Sequence, residues 1–358
     1  MSTPPYFGPD SGAVGTRRLN RQRILDVVRR LGPLSRADLS KRTQLSPPTI
    51  SALVEELMHG PGLLREIGVG ASSGGRPPIM LEFNADYGTI VGIDIAPREI
   101  RVALADLQGQ IVGRHQEPHA PPDSANIDSE INQVTAAIET TIAQAGRDPK
   151  RVLGMAVGAP GLADVSGRVH AAFVPGWSDV PLGDLLTAHF AVPVLVDSHA
   201  NLAAIGERWQ GAAQGIADFV FITLGERVGA GIVIAGRLHR GHQWQAGDIS
   251  GLMLDVPAQP AAHDVPSTLH RVVASVITLV DPALVICGGS LIAGHPEFVD
   301  RLRTAVAAIV RRVPAIERSA LGEDATLIGA IHAAKELADA QVFAVAGGAR
   351  STLRAESA

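Results

Sequence analysis

The first 70 residues place their hydrophobic side chains at helical spacing. Apolar positions between residues 19 and 31 recur every three or four residues, which predicts an amphipathic helix. Gly32 and Pro33 should end it, because glycine leaves the helical backbone easily and proline lacks the amide hydrogen that a continuing helix needs. A shorter helix is predicted over residues 36–42, with Ser35 as its N-cap.

A third helix is predicted directly after Ser46, which caps it, while Pro47 occupies the first helical position, where no amide hydrogen is needed. The strand-like residues 63–68 follow. Three helices with a brief turn between the last two, followed by a hairpin, are typical of a winged helix-turn-helix. The alternative interpretation is a three-helix packing module without a DNA role. The predicted buried face of the third helix consists of Ile50, Leu53, Val54 and Leu57.

Charge is distributed unevenly along the chain. Residues 1–80 carry 11 Lys and Arg against 6 Asp and Glu, a net charge of +5, whereas the remainder has a net charge of −10. A basic end on an otherwise acidic chain indicates a nucleic-acid partner for that end. Small polar residues near the start of the third helix suit contact with base edges and phosphates. The residues predicted to bind DNA are Arg36, Ser46, Pro48, Thr49, Ser51 and Arg76.

Residues 70–87 are rich in Gly and Pro and include Gly74-Gly75-Arg76-Pro77-Pro78, so we interpret them as a linker. A narrow extended segment that carries Arg76 can enter the minor groove of A·T-rich DNA, where negative potential is concentrated. The alternative is a plain hinge between domains.

From residue 90 onward the pattern changes to short strands. Strands, an amphipathic helix over residues 127–145 and a further strand at 152–157 form a β-β-β-α-β order, which recurs between residues 219 and 287. Such a repeat predicts two α/β lobes with a cleft between them. The predicted divisions are a disordered N-terminus (1–16), the winged helix-turn-helix (17–69), the linker (70–87), the lobes (88–200 and 201–338) and a tail (339–358).

The cysteine content and the lack of long apolar runs exclude several classes of protein. The 358 residues contain one cysteine, Cys287, which excludes an internal disulfide and a zinc cluster of thiolates. Its buried-strand surroundings indicate a small core side chain. Neither a secretory leader nor an apolar run of about 18 residues is evident, so we expect a cytoplasmic protein without a membrane partner.

Several motifs along the chain occur in the order in which the ROK family (repressors, open reading frames and kinases) has them. The chain therefore resembles that family over roughly residues 18–335. The resemblance implies a winged helix-turn-helix, mainly α, followed by a two-lobed actin-like ATPase fold of the sugar-kinase type. Its closest branch is that of the repressors. The motifs that carry it are Gly32 to Leu39, Leu45 to Ser51, Gly74 to Pro78, Val91-Gly92-Ile93-Asp94-Ile95, Gly158-Ala159-Pro160-Gly161, Ala200-Asn201, Ile205-Gly206-Glu207 and Gly229-Ala230-Gly231.

Departures from the family's pattern concern its catalytic groups. The family's phosphate-binding Asp-x-Gly-x-Thr turn has Ala96 in place of glycine, and Pro97 and Glu99 are unfavourable to a phosphate. His199 stands where the family has its catalytic Asp. The resemblance therefore implies an inactive kinase.

The family's sugar and zinc ligands are also altered. The Glu that holds sugar hydroxyls is shortened to Asp248, Gly251 replaces a zinc-binding His, and the cysteine-rich loop is absent. We therefore predict no zinc and no other cofactor.

The remaining polar residues of the cleft leave its role open. It holds a sugar-like or another effector, or it binds nothing and the body is a dimerisation scaffold. We predict a transcriptional regulator, a repressor that binds operator DNA as a homodimer, with an active sugar kinase and an effector-independent regulator as the alternatives. The candidate effector residues are Gly158, Pro160, Gly161, Ser198, His199, Asn201 and Asp248.

Overall fold

The computed structural model describes residues 13–71, 77–119, 127–172, 176–225, 228–253 and 265–348. The chain divides into two compact units. The first comprises residues 1–89, 106–108 and 338–358, and the second comprises residues 90–105 and 109–337. No helix in the described ranges is long and apolar enough to cross a membrane.

Three helices build the first unit, as the periodicity predicts: α1 (Ala13–Leu31), α2 (Arg36–Thr43) and α3 (Pro47–His59). The middle of the predicted apolar stripe of α1 is buried, whereas Leu19 and Leu31 at its ends are exposed, and the predicted face of α3 is buried in full. Because α1 begins at Ala13, the expectation of disorder is wrong for residues 13–16. Residues 1–12 lie outside the described residues.

Two serine caps fix the ends of the short helices. The Ser35 hydroxyl accepts a hydrogen bond from the Asp38 amide at 3.1 Å, and the Asp38 carboxylate accepts one from the Ser35 amide at 3.1 Å, which forms a capping box. Ser46 caps α3 by accepting the Thr49 amide. Gln44 ends α2 in the left-handed region, at φ +58°, and so reverses the chain between the two helices.

A small sheet completes the first unit. Strand β3 (Ile79–Phe83) pairs antiparallel with both β1 (Leu34–Ser35) and β2 (Leu64–Val69). Residues 79–83 are therefore the second strand of the wing, and our interpretation of residues 70–87 as an interdomain linker is wrong for this part. The segment that contains Arg76 lies between the two wing strands in the sequence, and residues 72–76 are outside the described residues.

The C-terminal end of the chain also belongs to the first unit. Helix α10 (Ala325–Ala346) continues well beyond residue 338, where the sequence predicted a tail. Gln22 donates a hydrogen bond to the Phe343 carbonyl at 2.7 Å, and Arg21 donates one to the Gly347 carbonyl at 3.1 Å. The prediction of a tail is wrong for residues 339–348, because helix α1 supplies partners that a local pattern cannot reveal.

The first lobe of the second unit is built on a mixed five-stranded sheet in the order β10-β7-β4-β5-β6. Helices α4 (Ile127–Gln144) and α5 (Leu182–Phe190) belong to this lobe, and β8 (Gly161–Ala163) pairs with β9 (Val169–Ala172). The sheet strands are β4 (Thr89–Ile95), β5 (Glu99–Asp106), β6 (Ile111–Pro118), β7 (Val152–Ala159) and β10 (Val194–Ser198).

The second lobe repeats this plan with the sheet order β13-β12-β11-β14-β15. The repeat confirms the two α/β lobes that the sequence predicts. Its strands are β11 (Phe219–Thr223), β12 (Gly229–Ile234), β13 (Arg237–Leu238), β14 (Leu284–Gly288) and β15 (Ala315–Arg318), and its helices are α6 (His199–Gln210), α7 (Ser267–Val280), α8 (Ser290–Gly294) and α9 (Phe298–Ala307).

Helices α6 and α10 touch backbone to backbone within the second unit. A Cβ atom built on Gly329 would lie 1.7 Å from the Leu202 carbonyl oxygen, and one on Gly206 would lie 2.4 Å from the Ala325 carbonyl oxygen. Only glycine permits this approach at both positions. The contact fixes α6, whose first residue, His199, faces the cleft.

Candidate nucleic-acid interface and candidate ligand cleft

The first turns of α3 present the predicted DNA-binding residues to solvent. Ser46, Pro48 and Ser51 are exposed, and Thr49 is half-buried. The Ser46 hydroxyl lies 2.8 Å from the Thr49 hydroxyl and also caps the helix, so these two side chains are bonded to each other. The structure thus brings the predicted α3 residues together on one exposed surface, and their contact with DNA stays a prediction.

Arg36 is held by carboxylates from two other elements. Its guanidinium lies 2.8 Å from Glu55 of α3 and 2.9 Å from Glu66 of β2. These ion pairs join the helix-turn-helix to the wing. The predicted DNA contact of Arg36 therefore competes with two partners inside the protein.

Four of the arginines on α1 have acidic partners within the first unit. Arg17 and Arg21 both pair with Glu56 of α3, and the hydrogen bond from Arg17 holds the pKa of Glu56 below its ordinary value. Arg29 pairs with Asp339, and Arg30 with Asp26. In contrast, Arg23, Lys41 and Arg42 are exposed, and none of the ion pairs among the described residues involves them.

Asp94 is the centre of charge in the cleft of the second unit. It is the next-to-last residue of β4 and is fully buried, and its Oδ2 lies 2.5 Å from Nη2 of Arg101. Its Oδ1 lies 2.9 Å from Nε2 of His199, without the alignment of a hydrogen bond. Burial opposes the ionisation of Asp94, but the nearby His199 and the ion pair and hydrogen bond of Arg101 outweigh burial and hold the pKa of Asp94 below its ordinary value.

Gly158 makes room for this cluster. A Cβ atom on Gly158 would lie 2.8 Å from Cγ2 of Thr326 and 3.4 Å from Cδ2 of His199. The predicted effector residues Gly158 and His199 are therefore in contact. They meet around Asp94, which means that His199 occupies the position of a counter-ion.

Asn201 and Asp197 form a second buried polar cluster. The Asn201 amide donates to Oδ1 of Asp197 at 2.7 Å, and Arg240 donates from Nε to Oδ2 of Asp197 at 2.8 Å. The Arg240 guanidinium also stacks on the Trp244 ring, 4.6 Å from its centroid. Because the Asn201 side chain is buried in this network, it lines neither of the two cavities described next.

Candidate residues line two of the cavities that open between the lobes. Gly161, Ser198, His199 and Asp248 line the smaller one, which has a volume of about 50 Å³. This space is too small for a monosaccharide. The larger cavity has a volume of about 390 Å³ and is lined by residues that include Asp94, Arg101, His199, Phe221, Thr223 and Ser290. The structure thus brings four of the predicted residues together, while Pro160 lines neither cavity.

Arg101 and Arg240 are two residues of the cleft that were not predicted from the sequence. Arg101 lies on β5 between the buried residues Ile100 and Val102, and an arginine among apolar strand residues was the available signal that a buried acid needs a partner. Arg240 lies on a loop, where no periodicity marks it. Its pairing with Asp197 arises only from the fold.

The residues present do not fit the family's structural zinc. Burial raises the pKa of the Cys287 thiol to about 12, so it is a poor source of thiolate. No group of three His, Cys, Asp or Glu side chains is placed to hold a metal within the described ranges, which omit residues 254–264. The absence of zinc stays a prediction.

The two α/β lobes around a cleft define an actin-like ATPase fold of the sugar-kinase type, joined in one chain to a winged helix-turn-helix. Residues 90–256 match the sequence model of the ROK family. The chain belongs to the ROK family.

Two curated relatives are similar over most of this chain. The putative xylose repressor of Caldicellulosiruptor sp. (strain Rt8B.4) is 32% identical over 240 residues, which are 67% of this chain and 59% of that protein. The xylose repressor of Bacillus subtilis (strain 168) is 32% identical over 244 residues, which are 67% of this chain and 61% of that protein. The chain therefore spans about three-fifths of the length of these relatives.

A solved structure supports the fold. It is a ROK family transcriptional regulator, described as a homologue of the Escherichia coli MLC protein, with a TM-score of 0.69 and 21% sequence identity. The match covers 94% of this chain and 100% of that one. The predicted fold class is confirmed.

Proposed function

We propose that this chain is a DNA-binding transcriptional regulator, a repressor, whose ROK body has lost kinase activity. The observation that carries the proposal is one chain with both an exposed, capped α3 in a winged helix-turn-helix and a cleft whose central acid, Asp94, faces Arg101 and His199. The printed names of the relatives, which are repressors, support it. A regulator of this kind acts in the cytoplasm.

The electrostatics of the first unit support a DNA partner. Exposed Arg23, Lys41 and Arg42 are free of ion pairs among the described residues, and such cations can displace counter-ions from phosphates. Lys41 and Arg42 lie at the end of α2, next to the turn that leads into α3. A helix-turn-helix places its second helix in the major groove, which brings this turn close to the DNA backbone.

The experiment is a fluorescence-anisotropy titration of the full chain with DNA from upstream of its own coding region. A scrambled duplex of the same length is the control, and both are measured at two salt concentrations. We expect tighter binding than to the scramble and a steep loss with salt. The salt slope is the slope of the logarithm of the binding constant against the logarithm of the salt concentration. The double variant Lys41→Ala/Arg42→Ala should reduce its magnitude by about 2, because each phosphate contact contributes about one unit.

Arg271→Ala is the matched control for this variant, since Arg271 is equally exposed but lies on α7 of the second unit. An equal effect of both changes would contradict the assignment of phosphate contacts to α2. Binding no better than the scramble, on this DNA and on a randomised duplex pool, would contradict the proposed function.

The cleft supports the proposed loss of kinase activity. A sugar kinase needs a general base for the sugar hydroxyl and a site for phosphate. Here the imidazole of His199 faces Asp94, and the cavity beside Asp248 holds about 50 Å³. We expect no sugar-dependent ATP hydrolysis or sugar phosphate with xylose, glucose or N-acetylglucosamine. Turnover that purifies with the protein and disappears in Asp94→Asn would support the alternative, an active kinase.

A sugar or sugar derivative is the proposed effector, and the cavity of about 390 Å³ is large enough for one. Xylose is the first to test, because two relatives are named xylose repressors. We expect the effector to release the protein from DNA in the anisotropy assay. Operator affinity that no metabolite changes would support the effector-independent alternative.

We propose a homodimer that forms through the second lobe, since two copies of α3 would then meet two half-sites of an operator. Light scattering after size-exclusion chromatography, on the free protein and on the DNA complex, tests the stoichiometry. One protomer on each duplex would contradict this assembly.

A further inference from the structure

We infer that α3 reads its operator mainly through the C5-methyl groups of thymine, with Thr49 and Ala52 as the specificity-determining residues. This inference rests on the proposed function, because it concerns the helix that a winged helix-turn-helix places in the major groove. It names which chemical group on the DNA that helix recognises.

Residues 47–50, the first turn of α3, have no amide hydrogen left for DNA. Pro47 and Pro48 carry none. The Thr49 amide donates to the Ser46 hydroxyl, and the Ile50 amide donates to the Ser46 carbonyl at 3.0 Å. A helix N-terminus with free amides would bind a phosphate or a base edge, and this one is closed to both.

The side chains of α3 also lack the groups that form paired hydrogen bonds to bases. Residues 47–59 contain no Arg, Lys, Asn or Gln, which are the side chains that contact guanine or adenine with two hydrogen bonds. Glu55 is engaged by Arg36 at 2.8 Å and by His59 at 3.1 Å. The hydroxyls of Ser46 and Thr49 share one hydrogen bond, and together with the Ser51 hydroxyl they offer only single hydrogen bonds to a base.

What α3 does expose there is apolar and small. Pro48, Thr49 and Ala52 are spaced so that they share one face of the helix, and each offers a methyl or methylene group. On the floor of the major groove, the apolar group is the C5-methyl of thymine. A surface of methyl groups beside a closed backbone therefore matches thymine better than any other base.

Attraction to phosphates and recognition of sequence are assigned to different helices. Lys41 and Arg42 are exposed on α2 and provide salt-dependent attraction to phosphates, which carries no sequence information. Sequence reading is left to Pro48, Thr49 and Ala52 of α3, which carry no charge. The two contributions can be separated experimentally, because changing a base methyl alters affinity without altering the salt slope.

The test begins with selection of a preferred site from a randomised duplex pool. Each thymine of that site is then replaced by uracil, which lacks only the methyl group. We expect a loss of about fourfold in affinity at each thymine that α3 contacts, which corresponds to one methyl group removed from an apolar contact. The salt slope should not change.

Inosine·cytosine pairs distinguish this readout from minor-groove recognition. Such a pair resembles G·C in the major groove and A·T in the minor groove. At positions that α3 reads, both uracil and inosine·cytosine should weaken binding. At positions read only through the minor groove, inosine·cytosine should be tolerated.

Protein variants assign the effect to α3. Thr49→Ser removes one methyl and keeps the hydroxyl that bonds Ser46, and Ala52→Ser makes the other methyl polar. The double variant should bind thymine and uracil duplexes with nearly equal affinity. Thr304→Ser, the same change on an exposed position of α9, is the matched control and should keep the fourfold discrimination.

Equal affinity of the wild type for thymine and uracil at every position of a site that beats the scramble would overturn the inference and leave the proposed function intact. Full discrimination in the double variant would also overturn it. Failure to select any preferred site would overturn both the inference and the proposed function.

Discussion

Asp94 carries its charge in a fully buried position, and the two groups beside it decide what that charge can do. Arg101 and His199 lie within 2.9 Å of its two oxygens. Loss of Asp94 would remove the shortest ion pair of Arg101 and leave it only the longer contacts with Glu99 at 3.3 Å and Asp324 at 3.9 Å, so we expect the pairing to stabilise the fold.

At the residue scale, Asp94→Asn should lower the free energy of unfolding by about 3–5 kcal/mol, since Arg101 would remain buried without its main partner. Urea unfolding at pH 7 measures this. Asp300→Asn, which changes an exposed acid on α9, is the control and should shift the free energy by less than about 0.5 kcal/mol. Equal losses in both variants would show that the Asp94 cluster is not stabilising.

The same residue predicts a pH dependence. Because the pKa of folded Asp94 is lowered, its ion pairs stabilise the fold fully above the unfolded value of about 3.9. That contribution disappears as the pH falls from there through the lowered pKa of the folded state. The difference in stability between the wild type and Asp94→Asn should therefore narrow below about pH 4. A difference that is constant from pH 7 to pH 3 would contradict this.

Arg36 can act on DNA binding in two ways, by contacting DNA itself or by compensating the negative charges of Glu55 and Glu66. Arg36→Ala should weaken DNA binding, either by loss of a phosphate contact or because Glu55 and Glu66 then repel the backbone. From its ion pairs we expect the second cause. Adding Glu66→Gln should then restore affinity in an anisotropy titration. Failure of the added change to restore binding would indicate direct contact by Arg36.

At the scale of elements, local pattern predicted the helices and strands well and failed at the ends. Apolar periodicity located α3 and its buried face, because a helix core depends on residues three and four apart. Strand β3 lies in the segment that the sequence predicts to be a linker. The prediction was wrong there because the strand follows two prolines and its partners β1 and β2 are distant in sequence. Pairing between distant strands has no local signal.

The crossing of α6 and α10 gives a prediction about an element. Gly329→Ala places a Cβ 1.7 Å from the Leu202 carbonyl oxygen, so the helices must separate. We expect a loss of at least about 3 kcal/mol in the free energy of unfolding, measured by urea titration. Gly294→Ala is the control, because no atom lies within 4 Å of the Cβ it adds. Similar stability of both variants would mean that the crossing is loose.

At the scale of the whole molecule, residues from both ends of the chain belong to the first unit. Residues 325–337 of α10 belong to the second unit and residues 338–346 to the first. In the first unit, the Arg29 guanidinium lies 4.7 Å from the Phe83 ring centroid and 5.5 Å from that of Phe343, and it pairs with Asp339. The winged helix-turn-helix is therefore completed by residues from the far end of the sequence.

Asp339→Ala should destabilise the first unit by about 1–3 kcal/mol, because Arg29 is largely buried and would lose its acidic partner. Hydrogen exchange measures this at the amides of α1, where we expect faster exchange, with β11 of the second unit unchanged. Glu336→Ala, an exposed acid one turn earlier on α10, is the control. Equal acceleration in α1 and β11 would contradict a local role.

The sequence by itself determined the helices of the winged helix-turn-helix, the two-lobed plan and the position of His199 at the cleft, because each depends on local spacing or on a motif. Only the tertiary structure decided that Arg101 and His199 both face Asp94, that Asn201 is buried against Asp197, and that the C-terminal helix joins the first unit. In the last case the contacting residues Arg21 and Gly347 are 326 positions apart. Asp94 and Arg101, like Asp197 and Asn201, are close in sequence, but their burial against each other depends on the packing of the whole chain, which no short stretch of sequence specifies.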